Sequence, residues 1–274
     1  MKSLCISYDV EDYYMASCYD RQFPRSKWNT FESKLKNGYY RGLEILQKKG
    51  IKGTFFFLGV VAEKYPEILK EAFNQGHEIA SHGYDHRLVS SLSLKEFEED
   101  IKKSTDVIES IIGDKIFGYR APTFSLDITS KDHIDVLKKY GYKYDSSYFP
   151  LSWKSNTKDN LSKDPFKIDN DFWEIPLSTS KFLSFDMPIG GGYFRLYLKS
   201  LNNHLIKKSL KERDTIIYLH PWEFLNTHPF YPKNRFTRFR HTINIGNNTI
   251  SKLESILSKN YPSKNRISLY NPNE

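Results

Sequence analysis

The chain is poor in cysteine and has no long apolar run. Its 274 residues include two cysteines, Cys5 and Cys18. Two thiols make neither a disulfide framework nor a zinc-ribbon spacing, so free thiols in a reducing compartment are expected. No stretch approaches the roughly 20 consecutive apolar residues of a membrane-spanning helix. Mean hydropathy is −0.60. The N-terminal stretch Met1–Asp9 is apolar for only a few residues before it meets an acid. A secretory h-region is longer, so the expectation is a mature cytoplasmic protein. Repeats, low-complexity tracts and linkers are also missing. The expected organisation is therefore one domain over 1–274, with the motifs in 1–223 and residues 224–274 as a C-terminal extension packed on them.

Charge and aromatics are plentiful. Lys and Arg number 41 against 33 Asp and Glu, a formal net charge of +8. Such an excess suits an acidic partner: a phosphate-bearing substrate, an anionic membrane face in peripheral contact, or nucleic acid. The lysines are dispersed along helix-like segments rather than massed in one arm, which speaks against nucleic acid. Aromatic residues make up 15% of the chain, enough for core packing and for platforms that stack on sugar rings.

Hydrophobic periodicity predicts alternating strands and helices. Met1–Tyr8 reads as a buried first strand. Ser33–Lys49 repeats Leu35, Tyr39, Leu43 and Leu46 on one helix face and closes at Gly50. Lys52–Leu58 is a fully apolar run of strand length. Pro66 sits near the first turn of a helix that stops at Gly76, and His77–Ser81 reads as the third strand. Ser93 and Glu96 form a capping box for a helix ending at Gly113. Phe117–Tyr119, Tyr142–Tyr144, Trp173–Leu177 and Thr215–Leu219 are further strand candidates, with a helix over Ser130–Tyr140 and an irregular section at 146–214. Strands separated by helices imply βα units and a parallel sheet. The expected fold class is α/β, a distorted (β/α)7-type barrel.

Each unusual polar cluster falls just after a predicted strand: Asp9–Asp12, His82–His86, Arg120–Phe124, Asp145 and His220–Glu223. In a closed parallel barrel the C-terminal strand ends share one mouth, where barrel chemistry sits. Two imidazoles and one carboxylate would hold a divalent metal and leave positions open for water and substrate. His82 and His86 are one turn apart if that segment coils as a helix. Asp9, Glu11 and Asp12 offer more carboxylates than one metal needs, so one can ligate while another acts as general base. Strand alternation favours Glu11 as the ligand; a loop beginning at Val10 favours Asp12. Arg120 suits a charge-assisted hydrogen bond that holds the base ionised. His220, stiffened by Pro221, suits proton donation to a leaving amine. Pro122, Tyr148 and Trp222 are candidates to wall a sugar pocket.

At these residues the chain resembles the polysaccharide deacetylases of the NodB-homology family. The acid motif is matched by Asp9-Val10-Glu11-Asp12, and the second-strand phrase by Gly53-Thr54-Phe55-Phe56-Phe57. The histidine motif is matched by His82-Gly83-Tyr84-Asp85-His86, the Arg-Pro motif by Arg120-Ala121-Pro122-Thr123-Phe124, and the final motif by Leu219-His220-Pro221. The resemblance extends to a subgroup found in bacterial exopolysaccharide and surface-glycan loci, through Tyr142–Ser147, Gly190-Gly191-Gly192-Tyr193-Phe194-Arg195, His220-Pro221-Trp222-Glu223 and Arg238–His241. It implies a metal-dependent hydrolase that removes an acetyl group from an amino sugar. The implied roles are Asp9 as base and His220 as acid. Glu11 or Asp12 would bind zinc, or nickel or cobalt, together with His82 and His86. The aromatic-acid motif is matched loosely around Asp145–Tyr148, which suggests Asp145 as the residue orienting His220. The substrate expected of a cytoplasmic member is a biosynthetic precursor, such as a diphosphate-linked acetylated amino sugar. The competing readings are hydrolysis of another C–N bond (a formamide or cyclic amide) and a non-catalytic glycan-binding module.

Overall fold

The computed structural model describes residues 2–151, 161–264 and 267. In chain order its strands are β1 (Leu4–Val10), β2 (Thr54–Phe57), β3 (Glu78–Ser81), β4 (Gly118–Tyr119), β5 (Tyr144–Asp145), β6 (Phe166–Asp169), β7 (Phe172–Glu174), β8 (Thr179–Phe182), β9 (Phe185–Pro188) and β10 (Thr215–Leu219). Its α-helices are α1 (Leu35–Lys48), α2 (Gly59–Lys64), α3 (Pro66–Asn74), α4 (Leu94–Ile112), α5 (Lys131–Lys139), α6 (Gly191–Leu196), α7 (Lys199–Glu212), α8 (Arg235–Thr242) and α9 (Asn247–Leu257). They form two compact units, one of Met1–Lys52 with Ser178–Ser263, the other of Gly53–Leu177 with Lys264–Glu274.

In the first unit β1 is buried along its whole length and pairs in parallel with β10, from Leu4 against Thr215 to Tyr8 against Leu219. Burial on both faces is why β1 and β10 read as near-continuous apolar runs. The register brings Asp9 and His220 one residue past the last pair. Helix α1 buries Leu35, Tyr39, Leu43 and Leu46, the stripe that the sequence spacing predicts. It presses so closely on the turn after β10 that a Cβ on Gly38 would stand 1.9 Å from the Pro221 carbonyl oxygen.

In the second unit β2, β3, β4, β5 and β7 pair successively in parallel, and β6 joins β7 antiparallel. Parallel pairing thus involves two strands of the first unit and five of the second. Helix α4 opens on the Ser93–Glu96 capping box and ends at Gly113, whose φ of 71° needs no Cβ. Helices α2, α3 and α5 pack against α4.

Up to Asp145 the predicted strands and helices appear within a residue or two of their expected bounds, except that β1 begins at Leu4 instead of Met1, and the short helix α2 is additional. The section 146–214 does not stay irregular. Its described residues hold β6, β7, an antiparallel β8–β9 hairpin, α6 and α7. These strands are three or four residues long and, apart from β7, partly exposed. Such short edges carry too little alternation to register as a pattern. Residues 152–160 of that section lie outside the described residues.

Candidate active site

The first unit carries the acids and one imidazole. Asp9, Glu11 and Asp12 are all buried. The Glu11 amide donates to the Asp9 carbonyl at 3.0 Å, which bends the chain as it leaves β1. Asp9 and Glu11 end on the same side: His220 Nε2 is 3.9 Å from Asp9 Oδ2 and 3.9 Å from Glu11 Oε1. Trp222 Nε1 donates to Glu11 Oε1 at 3.3 Å. Asp12 turns away and caps the short 3-10 helix Tyr13–Met15. Its carboxylate accepts from the amides of Tyr13 at 2.9 Å and Lys34 at 3.2 Å. Of the three acids, Asp9 and Glu11 thus face His220, and Asp12 does not.

His220 is held from behind. Pro221 starts the 3-10 turn Pro221–Phe224, and that turn places Glu223 beneath the ring. Glu223 Oε1 lies 2.5 Å from His220 Nδ1, while Glu223 Oε2 accepts from Arg195 Nε at 2.7 Å. Arg195 is fully buried and donates from Nη2 to the Arg240 carbonyl at 3.0 Å and from Nη1 to the carbonyls of Ile243 at 3.0 Å and His241 at 3.4 Å. Nδ1 carries the proton that Glu223 accepts, and Nε2 is turned toward Asp9 and Glu11. Burial by itself would lower the His220 pKa. The hydrogen bond to Glu223, then the charges of Glu11, Glu223 and Asp9, outweigh it and raise the value to about 9. Glu223 occupies the orienting position that the sequence suggested for Asp145. Trp222 is buried, stacked on His220 with centroids 5.2 Å apart and on His241 at 5.4 Å. With both faces covered, its indole holds Glu11 and His220 in place.

The second unit carries the paired histidines and Arg120. His82 and His86 are buried with ring centroids 5.5 Å apart. The segment is not a helical turn, as the spacing suggested, but a loop. Gly83 at φ 77° and His86 at φ 61° bend it through left-handed backbone. Non-glycine residues in that region cost of order 1–3 kcal/mol and collect at functional sites. His82 Nδ1 lies 2.7 Å from the Arg120 carbonyl oxygen. A carbonyl only accepts, so Nδ1 bears the proton and Nε2 keeps the lone pair, as ligation requires. The buried Asp100 anchors the loop. It accepts from the Tyr84 amide at 2.9 Å and from Arg87 Nη2 at 3.2 Å. Nothing in the sequence pattern of α4 singles Asp100 out.

Arg120 follows β4 and is fully buried. It donates from Nε to the Ser146 carbonyl at 3.1 Å and from Nη2 to Ser146 Oγ at 3.0 Å, and its Cζ sits 4.0 Å over the Phe56 ring. Asp145 accepts from the Ser147 amide and hydroxyl. Beside it, burial and then the Asp145 charge push the Glu174 carboxyl well above its ordinary range, so Glu174 is the protonated partner. Pro122 opens a tight turn in which Thr123 and Phe124 both adopt positive φ. Tyr148 is buried, and its amide donates to Glu174 Oε1.

Comparison with known proteins divides the chain differently from these two units. Residues 22–144 match the polysaccharide deacetylase model. The match shows what this segment is similar to. Residues 146–265 match a domain of unknown function. The first matched segment thus contains His82, His86 and Arg120, and the second Arg195, His220 and Glu223; the acids Asp9–Asp12 precede both. The peptidoglycan deacetylase of Helicobacter pylori is 29% identical over 144 residues, 51% of this chain and 48% of its own. The peptidoglycan-N-acetylglucosamine deacetylase of Bacillus cereus is 35% identical over 71 residues, 26% of each chain. The chain spans about half the length, or less, of these curated relatives. Among solved structures, a CE4 family pseudoenzyme from Bacillus anthracis aligns with TM-score 0.56 at 13% identity, over 98% of this chain and 65% of its own. A family 4 carbohydrate esterase from Streptomyces lividans, solved with acetate, aligns with TM-score 0.52 at 12% identity, over 94% and 85%. Identity this low establishes the fold alone, an α/β fold on a curled parallel sheet.

Proposed function

We propose that the chain is a divalent-metal-dependent hydrolase that removes an N-acetyl group from an amino sugar of a bacterial surface glycan or its biosynthetic precursor. The observation that carries this reading is His220: an imidazole held through Nδ1 by Glu223, with Nε2 3.9 Å from both Asp9 and Glu11. Glu11, His82 and His86 are the proposed protein ligands, one carboxylate and two imidazoles, all buried. The donor set fits a zinc-like ion: His82 presents Nε2, and the reading prefers Glu11 to Asp12 because Asp12 already accepts from two backbone amides. A divalent ion held there would supply Lewis acidity toward the acyl oxygen and toward water.

The remaining chemistry belongs to the side chains. Asp9 takes the proton of the attacking water, with Arg120 as its orienting partner. His220 gives its Nε2 proton to the departing amine, and Glu223 stabilises the imidazolium until then. The reading includes a cytoplasmic precursor such as a diphosphate-linked sugar, whose phosphates a chain of net charge +8 would attract. The test is acetate release from N-acetylated amino sugars, free and diphosphate-linked, by metal-replete protein. Release that disappears in Asp9→Ala and His82→Ala while both variants stay folded is expected. Full activity in either variant, or cleavage confined to formamides or cyclic amides, refutes it.

A further inference from the structure

We propose that α8 and the residues just before it form a docking face for an anionic lipid bilayer. The sequence has no Asp or Glu between Glu223 and Glu254. Within that span Lys233, Arg235, Arg238 and Arg240 are all exposed. Three large aromatics are exposed with them: Tyr231 at 58%, Phe236 at 73% and Phe239 at 51%. Phe236 and Phe239 are three apart on α8 and form one stripe, and Arg235 and Arg238 form the stripe beside it.

The helix is fixed, so this face is presented rather than trailing. Asn234 caps it by accepting from the Thr237 amide at 3.0 Å. At its other end the buried His241 stacks on Trp222 and lies 4.9 Å from the Tyr19 ring. Arg195 binds the carbonyls of Arg240 and Ile243. With the His241 side committed inward, two adjacent phenylalanines in water are a cost with no return within this unit.

A bilayer surface accounts for both stripes together. Guanidinium groups meet lipid phosphates, and the rings enter the boundary between headgroups and acyl chains. A glycan chain would call for a concave aromatic platform; a helix surface is convex and suits a planar partner. The inner side of α8 packs on Trp222, which stacks on His220, so docking would bring a membrane-borne substrate to the acid. That last step rests on the functional reading above; the docking itself does not.

The full chain is sedimented with vesicles of phosphatidylglycerol and phosphatidylcholine, and with phosphatidylcholine alone. Binding to the anionic vesicles only, weakened by salt, is expected. Removing each cation should weaken it about fivefold, so Arg235→Gln with Arg238→Gln should weaken it about thirtyfold. Phe236→Ser with Phe239→Ser should also weaken binding. Both double variants should keep wild-type melting temperatures and wild-type turnover of a soluble acetylated amino sugar. Absence of vesicle binding, or equal binding by the variants, overturns the proposal. So does a soluble oligonucleotide or anionic glycan that binds through these cations while vesicles do not. Vesicle binding without deacetylation would leave docking standing and sink the functional reading.

Discussion

Replacing Glu223 with Gln tests the arrangement around His220 most directly. Gln keeps the size and one hydrogen bond but removes the charge that accounts for much of the raised pKa. The wild-type value of about 9 against an ordinary 6.5 corresponds to stabilisation of the imidazolium on the order of 3 kcal/mol. Without the carboxylate, burial pulls the pKa to the ordinary value or below. At a pH of about 7.5 roughly one imidazole in ten would then carry a proton, so kcat/KM there should fall about tenfold. The diagnostic is the profile of kcat/KM against pH with metal saturating. Its alkaline limb should move down in the variant relative to wild type, while the acid limb stays. Arg195 also loses its buried carboxylate partner, which costs about 3–5 kcal/mol, so melting is followed alongside to fix the folded fraction. An alkaline limb that does not move, or a loss uniform across pH, would refute the assignment of His220 as the acid tuned by Glu223.

Three further outcomes follow from the same geometry. In metal-free protein the raised His220 pKa means that its share of stability is full below about pH 6.5 and is lost as pH rises through about 9; denaturant titrations should show this loss in wild type and not in Glu223→Gln. Glu11→Gln should weaken metal binding by more than the roughly 10–100-fold typical of changes to residues that only orient a ligand, whereas Asp12→Ala should keep metal and lose about 1 kcal/mol of stability as a missing cap, both read by metal analysis and melting. Gly38→Ala should destabilise by about 1–3 kcal/mol instead of gaining helix propensity, because the new Cβ meets the Pro221 carbonyl at 1.9 Å. Turnover should fall with it, since the same turn carries Glu223; a more stable variant would refute that packing.

The sequence by itself determined the strand ends, because burial on both faces makes β1, β2 and β10 continuous apolar runs. It also determined the α4 cap and stop, which are local hydrogen bonds between residues three or four apart. The clusters at Asp9–Asp12, His82–His86, Arg120 and His220 were legible for the same reason, as polar residues directly following apolar strands. Only the tertiary structure separated Glu11 from Asp12. Asp12 is claimed by the amide of Lys34, 22 residues on, and Glu11 by the indole of Trp222, 211 residues on. Neither partner can be inferred from local spacing. The His82–His86 loop is likewise a tertiary outcome, since Asp100 from α4 holds it out of helical form. Arg195 and Glu223 stand in phrases visible in the sequence, yet their pairing depends on α6 reaching the turn after β10 and on three backbone carbonyls around α8. A buried guanidinium needs all its protons accepted at once, and only the folded chain can show which acceptors converge on it.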